Sequence, residues 1–61
     1  MKPYIQVAYG STGYRIEKWI WNFDADEYVL DKTYPERFAH YYQARMVAAS
    51  WATSQKIEVR R

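Results

Sequence analysis

From Tyr4 to Tyr9 apolar and polar positions alternate, with Ile5, Val7 and Tyr9 on one side, and the alternation stops at Gly10-Ser11-Thr12-Gly13. Period-two spacing that runs into Gly and small polar residues predicts a strand and a turn. A second run, Tyr14 to about Phe23, is rich in Ile, Trp and Tyr, which suit a pleated, half-buried surface. Asp24-Ala25-Asp26 supplies the next turn. Glu27 to Thr33 continues as a third strand through Tyr28, Val29 and Leu30. The pattern then becomes helical. Thr33 and Glu36 have the Thr-x-x-Glu spacing of a capping box, and Pro35 falls inside the first turn, where its missing N–H costs nothing. With Thr33 as N-cap, the helix is expected from about Pro35 to Ser54. Ala39, Ala44, Ala48, Ala49 and Ala52 favour it, and neither Gly nor a further Pro interrupts it. Lys56-Ile57-Glu58-Val59-Arg60 alternates again and predicts a short closing strand.

The order β-β-β-α-β predicts one α+β domain over residues 1–61, a small antiparallel sheet with one helix packed on one face. The second strand poses a question that one helix cannot answer. Tyr14, Ile16 and Ile20 lie on one side of it, and Trp19, Trp21 and Phe23 on the other. In one arrangement the indoles meet the helix and a β-bulge turns Ile16 and Ile20 outward. In the other, Ile16 and Ile20 lie beneath the helix, and Trp19, Trp21 and Phe23 form an open face for binding or dimerisation.

At about 100° per residue, Phe38, Tyr41, Tyr42, Ala48, Ala49 and Ala52 make one broad apolar face of the helix, with Arg45 in its middle. A guanidinium so placed must reach solvent along its stem or meet a sheet carboxylate such as Glu17 or Asp31. Otherwise it marks contact with an acidic partner or a phosphate. The opposite stripe of Glu36, His40, Gln43, Ser50 and Ser54 is polar, but Val47 and Trp51 sit in or beside it at i, i+4 spacing. Either Trp51 folds over the helix end to cap the core, or the pair touches a partner.

Composition sharpens this picture in two places. A chain of 61 residues must use nearly every apolar side chain to offset its ordering entropy, and here 20% of the residues are aromatic. With no Cys there is neither a disulfide nor a thiolate zinc site, which leaves packing or self-association as support and fits a reducing, cytoplasmic compartment. No apolar run approaches the length of a signal peptide or a membrane span, so a soluble protein without membrane partners is expected. Nine Lys and Arg against seven Asp and Glu give a net charge of +2, too little by itself to argue for nucleic acid.

Candidate chemistry is sparse. Asp24, Asp26, Glu27 and Asp31 lack the Gly and the distant Glu of a calcium loop, and Gly10-Ser11-Thr12-Gly13 lacks the following Lys and helix of a phosphate cradle. His40 has only Glu36 near it and no triad partner, so no catalytic residues, metal or cofactor are assigned. The expectation is a non-enzymatic adaptor or inhibitor that binds a larger protein through an aromatic-rich surface drawn from Trp19, Trp21, Phe23, Arg45, Val47 and Trp51. Its size is that of the small proteins of phages and mobile elements. One alternative is a single-stranded nucleic-acid binder, stacking bases on the sheet with Arg15, Lys18, Lys32, Lys56, Arg60 and Arg61 around it. The other is an obligate homo-oligomer, of which a homodimer is the simplest form.

Overall fold

A computed structural model describes residues 1–60; Arg61 lies outside the described residues. The chain forms β1 (Tyr4–Gly10), β2 (Gly13–Asn22), β3 (Glu27–Thr33), α1 (Tyr41–Gln55) and β4 (Glu58–Arg60). They build an α+β domain with one four-stranded sheet in the order β3-β2-β1-β4. β1, β2 and β3 form an antiparallel meander, whereas β4 runs parallel to β1, so the sheet is mixed where a wholly antiparallel one is expected. The helix is the reason. It returns the chain across the sheet after β3, and the strand that follows runs in the direction of β3, which is also that of β1.

Ser11 and Thr12 connect β1 to β2, and Gly13 takes φ +106° as β2 begins. A Cβ at Gly13 would stand 2.7 Å from the carbonyl oxygen of Phe38, so both the backbone angle and the space require glycine. From Gly10 opposite Gly13, each pair steps outward without interruption to Tyr4 opposite Trp19. At the other end of β2, Asn22 Oδ1 accepts the N–H groups of Asp24 and Ala25 at 2.9 and 3.0 Å and so shapes the turn to β3.

The expected helix start is corrected. Thr33 ends β3 opposite Glu17 and caps nothing; α1 begins eight residues later at Tyr41, with His40 as an N-cap that makes no side-chain bond. β3 pairs with β2 only as far as Glu17, which leaves the first part of β2 needing partners. Residues 34–38 supply them. The N–H of Tyr34 donates to the Ile16 carbonyl at 2.9 Å, and Tyr14 and Phe38 exchange bonds of 2.8 and 2.9 Å. At its other end α1 closes in a Schellman motif, with Lys56 left-handed at φ 59° and the N–H of Ile57 donating to the Ala52 carbonyl at 3.0 Å.

The helix lies across β1, β2 and β4 on one side of the sheet. Ile5 and Ile16 are fully buried there against Ala44, Ala48 and Ala52, with Val7, Val47, Trp51, Ile57 and Val59 around them. The buried face of α1 is therefore a line of alanines, which lets the helix approach the isoleucines closely. Tyr41, Tyr42 and Ala49, expected on that face, are exposed. No helix is long and apolar enough to cross a membrane among the described residues.

Candidate functional site: the open face of the sheet

The face question has a definite answer. Ile16 points under α1, so three residues further along the unbroken β1–β2 register Trp19 points to the opposite side, and Trp21 with it. Cross-strand pairing brings Tyr4 and Leu30 beside Trp19, and Tyr28 beside Trp21. The irregularity between Lys18 and Trp19 makes Asp31 the extra residue on β3, and it falls where the pairing would otherwise carry a polar residue next to Trp19.

These rings pack on one another. Tyr4 and Trp19 lie nearly parallel with centroids 6.5 Å apart; Tyr28 meets Tyr4 edge-on at 4.8 Å and Trp21 edge-on at 5.1 Å. The Tyr28 hydroxyl donates to the Lys2 carbonyl at 2.8 Å, which fixes the ring beside the entry to β1. Arg60, at the end of β4, reaches over the cluster with its guanidinium carbon 3.9 Å from the Tyr4 centroid and 5.3 Å from that of Tyr28. Tyr4 is thereby only 6% exposed, although no helix covers this side. Trp19, Trp21 and Tyr28 remain part-exposed and Leu30 is exposed.

Glu17 stands in the same face and is 7% exposed. Burying a carboxylate is tolerable only with donors, and it has two: Arg15 Nε donates to Oε2 at 2.7 Å and Trp19 Nε1 donates to Oε1 at 3.2 Å. The second bond also sets the orientation of the indole. Pairing places Glu58 next to Tyr4 and Arg60 next to Gln6 on this face. Its fixed charges are thus Arg15 and Arg60 against Glu17 and Glu58, and they balance.

The other expected site residues are dispersed. Phe23 is 80% exposed, but it sits in the β2–β3 turn beyond the strand that carries the tryptophans. Trp51 and Val47 pack against the core, Trp51 edge-on to Tyr34 at 5.4 Å, so this pair caps the interior and leaves the candidate surface. Arg45 flanks the helix and its Nη1 donates to the Tyr41 hydroxyl at 3.1 Å; Glu17 is taken by Arg15 and Asp31 by Lys18. Lys18 and Lys32 are on the helix side of the sheet, where Lys18 also donates to Gln55 Oε1 at 3.2 Å. Lys56 is exposed at the helix end, and Arg61 lies outside the described residues. Among the described residues no group of three or more His, Cys, Asp or Glu side chains could hold a metal ion.

Sequence reasoning passed over Tyr4, Glu17 and Tyr28 as members of this face. The signal was available for Tyr4, because a two-residue loop at Ser11-Thr12 fixes the register by itself and puts Tyr4 opposite Trp19. No family model, curated protein or solved structure matches the chain.

Proposed function

We propose that the protein is a non-enzymatic module that binds and modulates a larger protein through the open face of its sheet. The observation that supports this reading is a sheet side left uncovered while bearing Trp19, Trp21, Tyr28 and Leu30 around a charge-balanced centre. Part-exposed tryptophans beside an aliphatic group are what protein partners desolvate, and indoles are over-represented among the residues that dominate such interfaces. The absence of Cys suits work in a reducing cytoplasm.

Nucleic acid is the weaker occupant. The cations that would follow a phosphate backbone are divided between the two sides of the sheet, and Glu17 and Glu58 interrupt those on the open one. Obligate self-association is a third reading; it predicts a melting temperature that rises with concentration, and one that does not change would rule it out.

The deciding experiment is affinity capture from a lysate of the source cell with wild type and Trp21→Ala. Loss of the captured protein with unchanged circular dichroism supports the open face as the interface. Retention of the same partner at the same yield by Trp21→Ala and Trp19→Ala together refutes it.

A further inference from the structure

Among the described residues, no side-chain hydrogen bond engages the Arg60 guanidinium on the open face. The guanidinium lies over Tyr4 and next to Tyr28. A ring face satisfies part of the charge of a guanidinium but none of its N–H groups, which remain directed outward in the plane. Among the described residues the ion pairs are Arg15–Glu17 and Lys18–Asp31, and neither includes Arg60. Arg15 contributes Nε to its pair with Glu17 and stays part-exposed. Among the described residues the face therefore holds one guanidinium restrained by aromatic rings and paired with no carboxylate, Arg60, and a second, Arg15, paired with Glu17.

We propose that Arg60, held over Tyr4 and Tyr28, receives a carboxylate from an acidic segment of the protein partner, laid across the open face in apolar contact with Trp21 and Leu30. This deepens the protein-binding reading above and rests on it. Two features select a carboxylate on a peptide. The planar fork of Arg60 matches a carboxylate in bidentate fashion, and stacking on Tyr4 reduces the rotamer freedom lost when the pair forms. Glu58 beside Tyr4 and Glu17 beside Gln6 accept a single carboxylate set at one guanidinium, but repel a chain that carries a phosphate at every residue.

The probe is an N-acetylated, C-amidated peptide with one glutamate flanked by leucines, titrated into the full chain at low salt and observed through the Nε–H signal of Arg60 and the indole N–H signals. Saturable shifts of Arg60 and Trp19 are expected. Arg60→Gln should weaken binding by about tenfold or more, the scale of a lost charge-assisted hydrogen bond. Arg60→Lys keeps a cation over the ring without the fork and should fall between the two. Lys32→Gln, on the helix side, should bind as wild type does. Thermal melts accompany each variant, and if Arg60→Gln is unfolded, Arg60→Lys carries the comparison.

The inference is overturned if the Arg60 signal does not move, if Lys32→Gln weakens binding as much as Arg60→Gln, or if an oligothymidylate of equal charge binds the same signals more tightly. In the lysate capture, a partner lost by Trp21→Ala but kept by Arg60→Gln removes the carboxylate contact and leaves the binding face standing. A partner kept by both removes both.

Discussion

Replacing Ile16 by Ala tests the assignment of the two sheet faces at its most sensitive point. Ile16 is fully buried, in a cluster whose helix members are Ala44, Ala48 and Ala52. A truncated isoleucine leaves a cavity, and neighbours with only a methyl group have no side chain to swing into it. The loss should thus approach the middle or upper part of the range for such substitutions, about 3–4 kcal/mol. A domain of this length has a total stability of roughly 3–9 kcal/mol at 0.05–0.15 kcal/mol per residue. Ile16→Ala should accordingly lower the urea midpoint by about 3 M at a slope near 1 kcal/mol/M, or leave the chain unfolded in buffer if the starting stability is at the low end. Trp21→Ala removes a larger side chain but from the part-exposed face, and should cost only about 1–2 kcal/mol. Far-UV circular dichroism against urea, with tryptophan fluorescence as a second probe, measures both. A loss below about 1 kcal/mol for Ile16→Ala, or a larger loss for Trp21→Ala, refutes the assignment and returns the indoles to the core.

Further substitutions test individual joints of the fold. Gly13→Ala forces a side chain into φ +106° and to 2.7 Å from the Phe38 carbonyl oxygen, so it should lower stability by about 2–3 kcal/mol. Gly10→Ala meets only the flexible end of Arg15, at 2.6 Å, and should lower the melting temperature far less. Lys56→Gly relieves a left-handed residue at the helix end and should raise stability by about 0.5–1 kcal/mol in the same urea assay. His40→Asp gives α1 the side-chain cap it lacks and places a negative charge at its positive end; a gain of about 1 kcal/mol is expected, and no gain would show that the His40–Tyr42 ring contact matters more. Glu17→Ala strips the acceptor from Arg15 and from the Trp19 indole and should cost about 1–3 kcal/mol, with a shift in the Trp19 N–H signal.

The strands were legible because their information is local. Alternation in Tyr4 to Tyr9 and the β-formers of Tyr14 to Asn22 sit between turn residues, and the meander follows. The helix start was not legible because it is decided by a distant demand. Thr33, Pro35 and Glu36 satisfy a capping box locally, but the unpaired beginning of β2 draws Tyr34 and Phe38 into hydrogen bonds with it. The helix face was misjudged for a related reason. Counting large apolar groups favours Tyr41 and Tyr42, whereas a helix packed closely on Ile5 and Ile16 buries its smallest residues. The tryptophan pair was read as sharing one face, and it does; which face needed the register across β1, and that in turn depended on the length of the Ser11-Thr12 loop.

The open face also separates residues that look interchangeable in the sequence. Tyr4 belongs to it by register, yet Trp19, Tyr28 and Arg60 leave Tyr4 almost no surface, so it acts as the support on which Arg60 rests. A Tyr4→Ala variant would remove the ring beneath the guanidinium and the packing behind Trp19 at once, and its loss of binding would not distinguish contact from collapse. Trp21 stands at the margin of the cluster, held edge-on by Tyr28 alone among the rings described here, and part of its surface faces solvent. A partner gains most by covering such a residue, and the fold loses least by its removal. That difference in dependence makes Trp21, and not the better-buried Tyr4, the residue through which binding at this face can be measured apart from stability.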